Sequence, residues 1–109
     1  MEGWLEKEGH WFKNWKKRYF VLDGNGSLAY YTDDSRKKLK GSYQLSSTSS
    51  VNSIKKEGSR HYRFVLRAHG ANGSDVLVLS AGSETDREAW LSKLEQAHEK
   101  QGSTSNFDF

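Results

Sequence analysis

At 109 residues, with 17 Lys and Arg, 14 Asp and Glu and no cysteine, the chain has room for one domain and for neither a disulfide framework nor a thiolate metal site. No run of about 18 apolar residues occurs, and Met1-Glu2-Gly3-Trp4 does not open a basic-then-apolar leader, so any membrane contact is expected to be peripheral and the compartment cytosolic. The net charge of +3 is unevenly spread: residues 1–82 hold 14 Lys and Arg against 8 Asp and Glu, residues 83–109 hold 3 against 6. A polyanion is therefore expected at one face, and charge alone does not say whether it is membrane, nucleic acid or acidic protein.

Gly3 to Glu8 reads as a first strand, and Lys17 to Leu22 and Ser27 to Thr32 as a hairpin around Asp23-Gly24-Asn25-Gly26, because Asn-Gly supplies the positive φ that tight turns need. Further strands are predicted at Gly41 to Leu45, Ser50 to Lys55, His61 to Arg67 and Asp75 to Ser80, with a turn over Gly70 to Ser74. The period then changes. Trp90, Leu91, Leu94, Ala97 and His98 recur on one helical face, with Ser83 as N-cap and Asp86 three residues on. Seven strands and one helix predict a strongly bent antiparallel sheet, or partly open barrel, capped by a C-terminal helix whose Trp90 plugs the core. The domain is expected over 1–100, and the small polar stretch after Lys100 reads as a loose tail through 109.

The stretch Lys7 to Leu22 holds five basic residues and one acidic. On a strand, Lys16, Arg18, Phe20 and Leu22 share one face and Trp15, Lys17, Tyr19 and Val21 the other. The first set passes from charged to apolar, as it would on a strand entering a barrel from its rim. Lys7 would stand at the same rim. Converging cations repel one another and call for a polyanion, with phosphate the natural candidate for a mixed Arg and Lys set, while a solvated basic hairpin would have the same spacing. Leu28 and Tyr30 share one face of their strand and Ala29 and Tyr31 the other, so one tyrosine at most reaches that rim.

Gly3-Trp4-Leu5-Glu6-Lys7, Trp15 to Leu22, Tyr30-Tyr31 and the single helical Trp90 together resemble a pleckstrin-homology (PH) domain from residue 3 to about 100. The resemblance implies the seven-stranded bent sheet and capping helix. Lys7, eight intervening residues, then Lys16-Lys17-Arg18-Tyr19-Phe20 is similar to the pattern of family members that bind 3-phosphorylated phosphoinositides. By that resemblance Lys7 and Arg18 would hold the 3-phosphate and Lys16 would add charge. Tyr30 matches a tyrosine that donates to an inositol phosphate, Lys40 a basic position on the fourth strand, and Lys13 the basic position of the first loop. His10 departs from the small residue common there, which leaves open the 3,4,5-trisphosphate or the 3,4-bisphosphate.

Trp11 and Phe12, between these cations, read as a hydrophobic wedge at a loop tip, with Trp11 folded back on the domain as the alternative. Lys13, Lys17, Lys37 and Lys38 would add diffuse attraction to an anionic leaflet. His10, His61, His69 and His98 show no metal spacing, and neither a nucleophile elbow nor a phosphate loop is present, so the reading is a non-enzymatic, monomeric module without cofactor. It would be recruited from the cytoplasm to the plasma membrane or another phosphoinositide-bearing membrane. The alternative is a protein-binding PH domain with weak lipid contact; nucleic-acid binding lacks a recognition helix or stacking motif.

Overall fold

In a computed structural model, which describes residues 1–9, 14–46, 49–53, 62–70 and 73–105, the first strand β1 (Glu2–Glu8) pairs antiparallel along its whole length with β2 (Trp15–Leu22). β3 (Ser27–Tyr31) returns beside β2, and β4 (Leu39–Gln44) beside β3. The second half adds β5 (Ser50–Ser53), β6 (Arg63–Gly70) and β7 (Gly73–Ser80), followed by the helix α1 (Glu84–Ser105). The strand order is β4-β3-β2-β1-β7-β6-β5, and a short β4–β6 pairing, Tyr43 with Gly70 and Gln44 with His69, bends the sheet back on itself. This is the bent, barrel-like antiparallel sheet with one C-terminal helix that the sequence predicts.

Alternation decides what lies inside. Leu5, Phe20, Leu22, Leu28 and Leu45 fill the interior from the first half of the chain, and Phe64, Leu66, Leu77 and Leu79 fill it from the second, all at most 5 % exposed. The turn between β2 and β3 differs in detail from expectation. Only Gly26 has positive φ (80°), while the Asp23 carboxylate accepts from the amides of Asn25 (2.8 Å) and Ser27 (2.9 Å). A side-chain acceptor thus does part of the work assigned to Asn25.

Ser83 is the N-cap, its Oγ accepting from the Asp86 amide at 3.1 Å. Trp90 and Leu94, one turn apart on α1, are buried to 3 % and 1 % exposure, with Leu91 and Ala97 beside them. The Trp90 ring meets Phe20 edge-to-face at 6.5 Å and lies against Gly3, so the helix plugs the barrel at β1 and β2. The helical backbone continues to Ser105, past Lys100. The expected strand residues Ile54, Lys55 and His61, and the centre of the Gly70 to Ser74 turn, lie outside the described residues.

Candidate functional site

The mouth of the barrel is built on the β1–β2 register. Lys7 stands directly opposite Lys16, and Leu5 opposite Arg18, so Arg18 is the diagonal neighbour of Lys7 on the interior face. Leu5 and Phe20, one step deeper, are buried. Like charges placed opposite each other across strands cost roughly 0.2–1 kcal/mol, so the cationic rim is not there for stability. Lys7 is half-buried, and its Nζ sits 5.6 Å from the centre of the Tyr30 ring. Burial pushes its pKa below the usual lysine value; the Asp75 carboxylate opposes that shift and Arg18 adds to it. Arg18 turns its guanidinium back, Nη1 donating to the carbonyl of Lys17 at 3.0 Å. That bond is exposed, and its donor can be exchanged for an incoming acceptor.

Tyr30, not Tyr31, faces inward. Its ring stacks on Phe20 at 5.0 Å and runs nearly parallel to Tyr43 at 6.3 Å, so three rings from β2, β3 and β4 form the wall under Lys7. Two glycines make room for them. A Cβ on Gly41 would lie 2.6 Å from the Tyr30 ring, and one on Gly70 would lie 2.8 Å from the Tyr43 ring. The Tyr43 hydroxyl donates to Asp75 Oδ2 on β7 at 2.9 Å, tying the first half of the barrel to the second across the opening. Asp75 Oδ1 accepts from the Val76 amide at 2.8 Å.

Burial, followed by the bond to Asp75, pushes the Tyr43 pKa far above the phenol range; burial also raises Tyr30, against a lowering by its hydrogen bond with Tyr43. Groups whose folded pKa is raised contribute stability that is intact below the unfolded value of about 10 and is lost as pH climbs beyond it. An absorbance titration of the tyrosines is therefore expected to show a late phenolate component that coincides with alkaline unfolding. Tyr43→Phe should remove part of that component and destabilise the fold by about 0.5–1.5 kcal/mol at neutral pH, since it removes the hydrogen bond that ties β4 to β7.

The other expected residues are placed less centrally. Lys16 is exposed at the rim. Lys40 is exposed, at a register slip where Tyr30 pairs with Gly41 and Tyr31 with Leu39, which makes Lys40 the extra residue of a bulge beside Tyr30. Lys13, the wedge residues Trp11 and Phe12, and His10 lie outside the described residues. Lys17 is on the opposite face, its Nζ 5.1 Å from the Trp4 ring, which meets Tyr19 edge-to-face at 5.4 Å; Arg36 lies over Tyr19 and pairs with Glu2. Sequence reasoning missed Asp75 and Tyr43. The parity that buries Leu77 and Leu79 puts Asp75 on the same face, and that of Leu45 does the same for Tyr43, so the signal was present in the alternation.

A cleft of about 600 Å³ opens beside this mouth, lined by Glu8 and Gly9 at the end of β1 and by Ser74, Asp75, Val76 and Val78 of β7, among others. The charged lining of that cleft is mixed, Glu8 and Asp75 with Arg67 and His69, while Lys7, Lys16 and Arg18 stand on β1 and β2.

The model of the PH domain matches residues 1–99. Among curated proteins, Rho GTPase-activating protein 25 of Mus musculus is 35 % identical over 98 residues, covering 84 % of this chain and 15 % of that protein. Oxysterol-binding protein 2 of Mus musculus is 33 % identical over 99 residues, covering 91 % of this chain and 10 % of that protein. The chain therefore spans only a small part of these relatives' length. Among solved structures, the C-terminal PH domain of pleckstrin in complex with D-myo-Ins(1,2,3,5,6)P5 superposes with a TM-score of 0.75 at 27 % identity, covering 90 % of this chain and 93 % of that one. The match of the family model over residues 1–99, with the superposition on the pleckstrin domain, establishes that this chain belongs to the PH domain family.

Proposed function

We propose that the domain is a non-enzymatic membrane-targeting module whose cationic mouth grips the headgroup of a 3-phosphorylated inositol phospholipid, the 3,4,5-trisphosphate or the 3,4-bisphosphate. The observation that carries this reading is the convergence of Lys7, Lys16 and Arg18 on one rim, Lys7 opposite Lys16 in register and Lys7 and Arg18 half out of water, an arrangement that costs energy until a polyanion neutralises it. The inositol pentakisphosphate in the pleckstrin domain supports it, as a likeness in fold and ligand chemistry.

In this reading Lys7 and Arg18 hold the 3-phosphate, Arg18 exchanging its backbone acceptor for phosphate oxygens in a forked, charge-assisted pair. Lys16 adds charge, Tyr30 donates its hydroxyl, and Lys40 and Lys13 extend the cationic field from the neighbouring strand and loop. Trp11 and Phe12 insert into the interface, contributing roughly 2 to 4 kcal/mol by area scaling with partial burial. The domain acts as a monomer recruited from the cytoplasm. A second reading, a protein-binding PH domain, draws on the outer face, where Trp4 is 38 % exposed with Lys17 over its ring and Arg36 over the adjoining Tyr19.

Vesicle co-sedimentation across a phosphoinositide panel, with phosphatidylserine alone as control, tests the reading. Retention confined to 3-phosphorylated lipids supports it, and retention that follows total negative charge rejects it in favour of diffuse adhesion. The wedge has its own test: Trp11→Ala is expected to weaken vesicle binding about tenfold or more and to leave the soluble headgroup's affinity unchanged. Equal losses in both would move Trp11 from the bilayer to the headgroup.

A further inference from the structure

The headgroup reading accounts for the cations of the mouth and leaves Asp75 unexplained, a carboxylate placed where a polyanion is to enter. Its position is fixed from two sides, by the Tyr43 hydroxyl at 2.9 Å on Oδ2 and by the Val76 amide at 2.8 Å on Oδ1. Tyr43 is itself held, stacked parallel to Tyr30 and seated against Gly70, where any Cβ would strike its ring. Asp75 is therefore a rigid negative charge on the β7 side, half-exposed, in a cleft that Glu8, Arg67 and His69 also line. A carboxylate repels phosphate and accepts a hydrogen bond from a hydroxyl.

We infer that Asp75 is a specificity residue of the mouth: it accepts a hydroxyl of the inositol ring on the β7 side and penalises a phosphate there, so that the domain favours the headgroup carrying fewer phosphates. This rests on the headgroup reading above. Phosphates are drawn to Lys7, Lys16 and Arg18 on the β1–β2 side, and the ring is oriented between those cations and the fixed Asp75 carboxylate. Of the two 3-phosphorylated lipids, the 3,4-bisphosphate is the one that keeps a hydroxyl where the trisphosphate adds a charge.

Calorimetric titration of the whole domain with soluble Ins(1,3,4)P3 and Ins(1,3,4,5)P4, repeated with vesicles bearing the corresponding lipids, reads this directly. The parent is expected to bind the trisphosphate headgroup at least as tightly as the tetrakisphosphate. Asp75→Asn, which retains an acceptor for Tyr43, should raise affinity for the tetrakisphosphate by about tenfold and for the trisphosphate by about threefold or less, the scale of one like-charge contact in a partly wet site. Tyr43→Phe, which keeps the charge and removes its anchor, should not reproduce that gain.

Equal changes for both headgroups in Asp75→Asn, or the same gain in Tyr43→Phe, overturn the inference. If Arg18→Ala abolishes binding while Asp75→Asn leaves the ratio of affinities at the parent's value, this inference alone fails. Binding that is absent from the parent, or indifferent to Arg18→Ala, removes the headgroup reading and this one with it. A ratio that changes in vesicles and not in solution also contradicts it, because the discrimination would then lie in the bilayer rather than in the ring. Tighter binding of the lipid than of its free headgroup identifies the membrane as the source of the ligand.

Discussion

Arg18→Ala is expected to weaken binding of a 3-phosphorylated headgroup by about thirty- to a thousandfold, the loss of about 2 to 4 kcal/mol that follows when one member of a desolvated charge pair is truncated. The geometry accounts for the size. Arg18 sits diagonally across from Lys7 on the interior face, above the buried Phe20, so nothing else on β2 replaces its forked donors at that depth. Lys16 is nearer the rim and exposed, and Lys16→Ala should cost much less, close to the 0.2–1 kcal/mol of a surface ion pair. Fold stability should hold or rise in Arg18→Ala, since the substitution also relieves repulsion with Lys7. Titration calorimetry with parallel thermal melts separates the two effects, and an Arg18→Ala affinity within twofold of the parent would put the site elsewhere.

The second large effect is on the fold. Trp90→Ala is expected to destabilise the domain by about 3–5 kcal/mol, because it removes a ring that is 3 % exposed, meets Phe20 edge-to-face and lies against Gly3, leaving a cavity between helix and sheet. Small domains hold only about 5–15 kcal/mol in total, so the melting temperature should fall by more than about 10 °C. Phe20 also forms the base on which Tyr30 stacks, and loosening it should weaken headgroup binding at temperatures where the domain is still folded. Chemical denaturation measures the first effect. A loss below about 1 kcal/mol would mean that the helix does not plug the barrel.

Much of this architecture could be read from alternation and punctuation. The seven strands fall where period-two runs end in Gly, Ser, Asn and Asp, and Ser83 caps the helix as its spacing to Asp86 predicts. Parity alone assigned Arg18 and Phe20 to one face and Lys17 and Tyr19 to the other, and separated Tyr30 from Tyr31. What the sequence could not disclose is pairing between distant segments. The bond from Tyr43 to Asp75 exists because β4 closes onto β6 and β6 carries β7 alongside it, and no local pattern encodes that closure. The glycines at 41 and 70 likewise read as ordinary strand irregularities until the rings they admit are in place. Lys17 shows the converse. Its charge joins it to the basic run, whereas its face commits it to Trp4 on the outer surface.

The central claim is that one polyanionic headgroup is held inside the mouth, and backbone amide shifts on addition of soluble Ins(1,3,4)P3 locate it most directly. The account predicts changes concentrated at Lys7, Lys16, Arg18, Tyr30 and Asp75, saturating at one equivalent. Changes concentrated instead at Trp4, Lys17 and Tyr19 on the outer face, or spread without saturation over all the basic residues, would contradict it.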